Sequence, residues 1–161
     1  MIPRPLRLLG YFVLLPVPLI GVVPWALHRF TEGPFVWQGS AGQWIGVWCL
    51  VNGFSLAGWC VFLLSTEGQG TPFPLDPPLR FVAGGPYRYV RNPMVLGMFL
   101  ILIGEGMLYR SPAVWLYAAA LAGAGVCFVR CVEEQELERR FGETYRAYRR
   151  QVPRWIPRRS P

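Results

Sequence analysis

The sequence predicts an all-α, polytopic membrane protein with about four transmembrane helices, a long Pro/Gly-rich loop and an amphipathic C-terminal helix. Two observations carry this. Hydrophobic residues make up 53% of the 161 positions, mean hydropathy is positive, and the apolar residues gather in long runs with charges pushed into the gaps. The gaps themselves are basic: the net charge is +7, and all sixteen basic residues are Arg. Because these arginines flank apolar runs, anionic lipid headgroups are a more economical partner than nucleic acid. One membrane-embedded domain over residues 1–161 is expected.

The first span covers about residues 8–27, with Arg4 and Arg7 before it. Pro16, Pro18 and Pro24 interrupt it and no small-x-small cleavage site follows, which favours a retained, kinked helix over a signal peptide. Trp25, Trp37 and Trp44 fall where interfacial indoles sit. The second span, about 41–65, carries one strongly polar interior residue, Asn52, expected to hydrogen-bond between helices. Cys49, Cys60, Cys127 and Cys131 all fall in or at the ends of apolar runs and read as small buried hydrophobes.

Residues 66–92 form a loop whose glycines and prolines exclude regular helix over most of it. Phe81 and Val82, with Phe73, Leu75 and Leu79, argue for a surface loop folded over a site. Asn92-Pro93 then starts the third span, 93–109, with Asn as N-cap and Pro at the first helical position. That helix start presents unpaired N–H groups to the loop side, suited to a carboxylate. Glu105, near the far end, is expected to snorkel or pair with Arg110.

Pro112 opens the fourth span, 112–132, so soon after the third that the two must be antiparallel neighbours. Its glycines and alanines, Gly123 and Gly125 among them, predict close helix packing. Residues 133–161 form the amphipathic helix and tail. Leu137, Phe141, Tyr145, Tyr148 and Val152 recur at spacings of four, four, three and four, one stripe of a helix suited to lying on a bilayer. Pro153 stops it, and Trp155 and Ile156 suit an interfacial anchor. Counting arginines places both termini and the long loop on the cytoplasmic side, in a bacterial inner membrane.

Two stretches stand out: GGPYRYVRNPMVLG at 84–97 and EEQELERRFGETYRAYRRQVPRWIP from Glu133. Occurring in that order with a hydrophobic hairpin between them, they resemble the isoprenylcysteine carboxyl methyltransferase and phospholipid methyltransferase superfamily of integral membrane enzymes. The resemblance covers roughly the second half of the chain, from about Gly70. It implies methyl transfer from S-adenosyl-L-methionine to an amphiphilic substrate entering from the bilayer. Carried over residue by residue, the cofactor would lie among Tyr87, Arg88, Tyr89, Asn92, Pro93, Met94, Gly97, Glu133, Glu134, Tyr145, Tyr148 and Arg149.

The chemistry fits these residue types. Arginines and a helix start suit the methionine carboxylate, carboxylates suit its ammonium or the ribose hydroxyls, and aromatic walls suit adenine. Displacement at an activated methyl needs mainly an aligned, desolvated nucleophile. Glu134 is the candidate to take a proton from an amine acceptor, and Arg91 the candidate to orient a carboxylate one.

A phospholipid amine is the first-choice acceptor; a prenylated cysteine carboxylate and a small hydrophobic thiol or amine are the alternatives. A non-catalytic lipid-binding or assembly protein is the rival class. Two positions depart from the family's pattern: its usual Arg-His-Pro is Arg91-Asn92-Pro93, and Val95 replaces a tyrosine. Asn92 can cap and donate but cannot titrate near neutral pH. With His28 the only histidine, no metal site is expected, and no phosphate-cradling glycine motif follows a strand.

Overall fold

The computed structural model describes residues 17–72 and 76–157, so the expected helix over residues 8–16, Phe73, Pro74, Leu75, Arg158 and Arg159 lie outside the described residues. Every regular element described is helical. A π-helical turn, Pro18–Val22, runs into α1, Val23–Thr31, and then follow α2, Ala41–Thr66, a 3-10 turn, Gly85–Arg88, α3, Pro93–Tyr109, and α4, Pro112–Phe128. A second π-helical turn, Val129–Glu133, leads into α5, Glu134–Gln151.

Among the described residues, two helices are long and apolar enough to cross a membrane: α2, and the 40-residue helix Pro112–Gln151. In that second helix the apolar run stops at Val132, and the polar residues from Glu133 onward extend beyond it. Helix α3 is equally apolar but only 17 residues long, short of the about 20 that a 30 Å hydrocarbon layer asks for. Among the described residues, two candidate spanning helices and a shorter apolar one thus stand where the second, fourth and third spans are expected.

The chain falls into two compact units, residues 1–52 with 100–120, and residues 53–99 with 121–161. In the first, α2 and α3 approach closely: a Cβ on Gly104 would lie 2.8 Å from the Gly46 carbonyl oxygen, and one on Gly46 would lie 2.8 Å from that of Gly104. On α4, where small-residue packing is expected, the Cβ position of Gly125 has Phe99 and Val95 of α3 at 3.9 Å, while that of Gly123 has nothing within 4 Å.

His28 is buried, stacked on Tyr109 with ring centroids 5.0 Å apart and met edge-on by Phe35. Tyr117 donates to the Leu19 carbonyl at 2.7 Å. Arg110 donates to the Gln38 side chain, so the expected pairing with Glu105 does not form. Glu105 instead stays buried, with Oε2 lacking a partner. Asn52 likewise does not bridge helices; its amide donates to the Trp48 carbonyl one turn back, at 2.8 Å.

Cys49 and Cys60 are buried as expected, but Cys127 and Cys131 are exposed. Both lie one turn apart, at the end of the apolar run of the long helix, so their outward face is one that hydrocarbon would cover. The three indoles assigned to an interface, Trp25, Trp37 and Trp44, are all exposed, and Trp37 meets Trp44 edge-on.

In the second unit α2 and α3 again touch through glycine, a Cβ on Gly97 falling 3.0 Å from the Gly53 carbonyl oxygen. The long loop is tied down by its backbone. Thr71 N–H donates to the Asp76 carbonyl at 2.7 Å, and Leu79 and Arg80 N–H both donate to Gly68. Gly85 starts the 3-10 turn at φ +53°, where an added Cβ would meet Leu63 at 2.7 Å; only glycine serves there.

Candidate active site

The two motif stretches meet within the second unit. Asn92 is the residue before α3 and its carbonyl accepts the first helical bond, from Leu96 N–H at 3.2 Å, as expected for an N-cap followed by Pro93. Asn92 and Pro93 are buried, and Met94 is half-buried.

An ion cluster organises this region. Glu134, with a side chain only 6% exposed, accepts Arg91 Nη1 on Oε1 at 2.9 Å. It also accepts both Arg154 Nε on Oε1 at 2.8 Å and Arg154 Nη2 on Oε2 at 2.6 Å. Three charge-assisted bonds converge on one carboxylate, which balances its burial. Arg91 N–H donates to the Pro153 carbonyl at 2.9 Å, and Trp155 packs on Phe99 at 5.7 Å. The segment after α5 is thereby strapped across the start of α3.

The aromatic stripe of α5 has a packing partner. Phe81 of the loop touches Phe141, Tyr145 and Tyr148, at centroid distances of 5.4, 6.0 and 5.0 Å. Tyr145 is 1% exposed; the stripe closes on the loop and is not free to lie along a bilayer. Tyr148 donates its hydroxyl to the Tyr87 carbonyl at 2.7 Å. The Tyr87 side chain in turn lies beside the Cys60 thiol. Helix α5 bends at Gly142, φ 51° and ψ −123°.

Several donors remain unspent. Arg91 Nε and Asn92 Nδ2 are buried without a partner, and the Tyr145 hydroxyl lies buried beside the Arg91 guanidinium. Burial, then the neighbouring Glu134 carboxylate, pushes the Tyr145 phenol above its ordinary value. Burial, then Cys60 and Glu133, pushes Tyr87 much further up, so both hydroxyls stay protonated donors. Glu133 is half-buried, and no ion pair reaches it among the described residues. Burial first, and then the Glu134 charge, pushes its carboxyl up to about 7.

Of the expected site residues, the structure gathers Tyr87, Arg91, Asn92, Pro93, Glu133, Glu134, Tyr145 and Tyr148. Arg88, Tyr89 and Arg149 are exposed, and Arg149 pairs with Glu138 at 3.4 Å. Gly97 is engaged in the contact with α2. Sequence reasoning passed over Arg154 and the Cys60–Tyr87 pair, and placed Phe81 only in a loop folded over a site. Arg154 follows a helix-stopping proline and reads as tail. The one available signal for Phe81 and Cys60 was an aromatic in a polar loop and a thiol near the end of a span.

An orphaned guanidinium N–H and an orphaned amide, both buried, are suited to a carboxylate, and aromatic rings stand beside them. The S-adenosylmethionine expectation fits these residues. One curated relative, the methanethiol S-methyltransferase of Crocosphaera subtropica, is 27% identical over 98% of this chain and 63% of its own length. The chain thus spans less than two thirds of that relative. No solved structure matches it significantly. The phospholipid methyltransferase family matches residues 41–144, which include α2, α3, α4, Arg91, Glu134 and α5 to just past its bend at Gly142, but not Arg154. This chain belongs to the phospholipid methyltransferase family.

Proposed function

We propose that the protein transfers a methyl group from S-adenosyl-L-methionine to a small hydrophobic thiol, at a site built in the second unit around Arg91, Asn92 and Glu133. The buried, unpartnered Arg91 Nε and Asn92 Nδ2 carry the cofactor half of this reading. They would hold the methionine carboxylate, with the Tyr145 hydroxyl beside them and the rings of Tyr87 and Tyr148 as walls. Arg154 fixes Glu134, and Glu134 fixes the Arg91 guanidinium with Nε left free. In this arrangement Glu134 is a strut, since its oxygens already accept three bonds.

When bound, the cofactor supplies a methyl group already activated by its sulfonium charge. The chain's task is then to align the acceptor, exclude water and receive a proton. The likeness to a methanethiol S-methyltransferase along nearly all of this chain supports a thiol acceptor. A phospholipid amine is the second reading, favoured by the family's match. In both, the acceptor reaches the site from the bilayer, and the arginine-rich side, with both termini, faces the cytoplasm of a bacterial inner membrane.

Calorimetric titration with S-adenosylmethionine in detergent tests the cofactor half. Binding that weakens at least tenfold in Arg91→Met and Asn92→Leu supports it. Wild-type protein showing no binding at millimolar cofactor contradicts it.

A further inference from the structure

Glu134 holds its two guanidiniums in different ways. Arg154 lies side-on across both carboxylate oxygens, with Nε on Oε1 at 2.8 Å and Nη2 on Oε2 at 2.6 Å. In a guanidinium, Nε and Nη2 share the edge whose parallel N–H bonds match a carboxylate, while Nη1 lies on the far side. Arg91 touches Glu134 through Nη1, at 2.9 Å on Oε1, and its Nε is buried without a partner. The side-on edge of Arg91 is therefore turned away from Glu134. The chain after α5 delivers Arg154 to its place. Val152 leaves the helix in an extended conformation, and Pro153 has no N–H with which to continue it. The Pro153 carbonyl accepts Arg91 N–H at 2.9 Å, Trp155 packs on Phe99, and the residue between them turns back on Glu134, twenty positions earlier. Arg154 lies beyond the residues that the family matches.

We propose that Arg154 is a positioning residue for the cofactor: by lying across both oxygens of Glu134, it keeps Arg91 in a single contact, with the Nε edge left for the methionine carboxylate. This role rests on the cofactor reading above and deepens it. Two guanidiniums cannot both lie side-on against one carboxylate, because Arg154 already occupies both oxygens and Arg91 Nη1 shares Oε1. A side-on pair is the stronger of the two arrangements open to Arg91 and Glu134. With Arg154 gone, Glu134 draws the Nε edge of Arg91 onto itself, and the strut becomes a competitor for the ligand's place. With Arg154 present, that edge is withheld from Glu134, and the neighbouring Asn92 Nδ2, also buried without a partner, supplies a second donor.

Calorimetric titration of the full-length protein in detergent, with S-adenosylmethionine and with its decarboxylated analogue, tests this. Arg154→Met should weaken S-adenosylmethionine binding at least about tenfold, the scale of one charge-assisted bond, and binding of the analogue less than about threefold, since the analogue has no carboxylate to place. Replacing Glu134 in the same background should reverse part of the loss. The double variant Arg154→Met, Glu134→Gln should bind S-adenosylmethionine more tightly than Arg154→Met alone, because a neutral amide competes poorly for Arg91. A residue that merely clamps the C-terminal segment predicts a further loss instead. Magnetic resonance of protein carrying isotope-labelled arginine reads the same event without ligand. The Arg91 Nε–H signal, assigned by its disappearance in Arg91→Met, should move in wild type when S-adenosylmethionine is added, and should already be displaced in ligand-free Arg154→Met.

Equal losses for the two ligands, a double variant that binds no more tightly than Arg154→Met, or an unmoved Arg91 Nε–H signal in ligand-free Arg154→Met overturns the proposal. If Arg154→Met does not fold, Arg154→Lys takes its place with the same expectations, because a point charge cannot lie across both oxygens. Wild-type protein that binds neither ligand, or both equally well, overturns the carboxylate reading and this role with it. Carboxylate-dependent binding in wild type that Arg154→Met leaves intact overturns this role alone.

Discussion

Replacing Glu134 by Ala removes the one anion that holds two guanidiniums together. The carboxylate is 6% exposed and accepts three bonds, of 2.9, 2.8 and 2.6 Å. Bonds to charged groups contribute about 1.5–3 kcal/mol each, but they share one acceptor and do not add. The more useful scale is the about 3–5 kcal/mol lost when a buried pair is broken and its partner charge is stranded. Glu134→Ala should therefore lose about 3–5 kcal/mol, near the upper end because two like charges are left facing each other. Glu134→Gln keeps one acceptor oxygen and should lose about 1.5–3 kcal/mol. Unfolding in mixed detergent micelles, followed by circular dichroism, measures both. A double-mutant cycle with Arg154→Met should give coupling of about 1–3 kcal/mol. Amide exchange at Arg91, whose N–H donates to Pro153, should speed up as the C-terminal strap loosens. A Glu134→Ala protein within about 0.5 kcal/mol of wild type, or a cycle with no coupling, would refute the reasoning.

Further expectations follow from the same structure. Glu134→Ala should weaken cofactor binding far more than Glu105→Ala, measured by calorimetry, because Glu105 lies in the other unit; equal effects would contradict the placement. Gly104→Val drives side-chain atoms into the Gly46 carbonyl, where even a Cβ would sit at 2.8 Å, and should cost about 1–3 kcal/mol in the unfolding assay. Tyr148→Phe removes the 2.7 Å bond to the Tyr87 carbonyl and should cost about 0.5–1.5 kcal/mol. Glu133 gives a pH signature. Its carboxyl is raised from 4.5 to about 7 in the folded chain, so between those values the folded state holds a proton that the unfolded state has lost. Its contribution is fully present below pH 4.5 and is lost as pH rises through about 7, with a slope of at most about 1.4 kcal/mol per pH unit. The stability profile of Glu133→Gln should be flatter across that window.

The scaffold was legible wherever one physical rule dominated. Long apolar runs marked α2 and the apolar part of the long helix, and Asn92-Pro93 marked the start of α3, because a proline without an N–H is free only there. The two motif stretches were correctly paired, since the short connection Tyr109 to Pro112 forces neighbouring helices. Pairings that depend on three-dimensional competition were not legible. Arg110 had Glu105 within sequence reach, but it donates instead to Gln38, 72 residues away in the chain. The stripe of α5 has the same period whether it faces lipid or Phe81, so periodicity could not decide between them. The adjacent glutamates look interchangeable as letters. Only the return of Arg154, twenty residues on in the chain, makes one a strut and leaves the other without a cation.

Methyl transfer itself tests the central claim most directly. Purified protein in bilayer nanodiscs is given S-adenosylmethionine carrying a labelled methyl group, together with a short-chain alkanethiol and a total lipid extract. The account predicts label in the volatile methyl thioether, abolished by Arg91→Met. Label confined to the phospholipid fraction would contradict the thiol assignment, and label in neither product would contradict the enzyme reading.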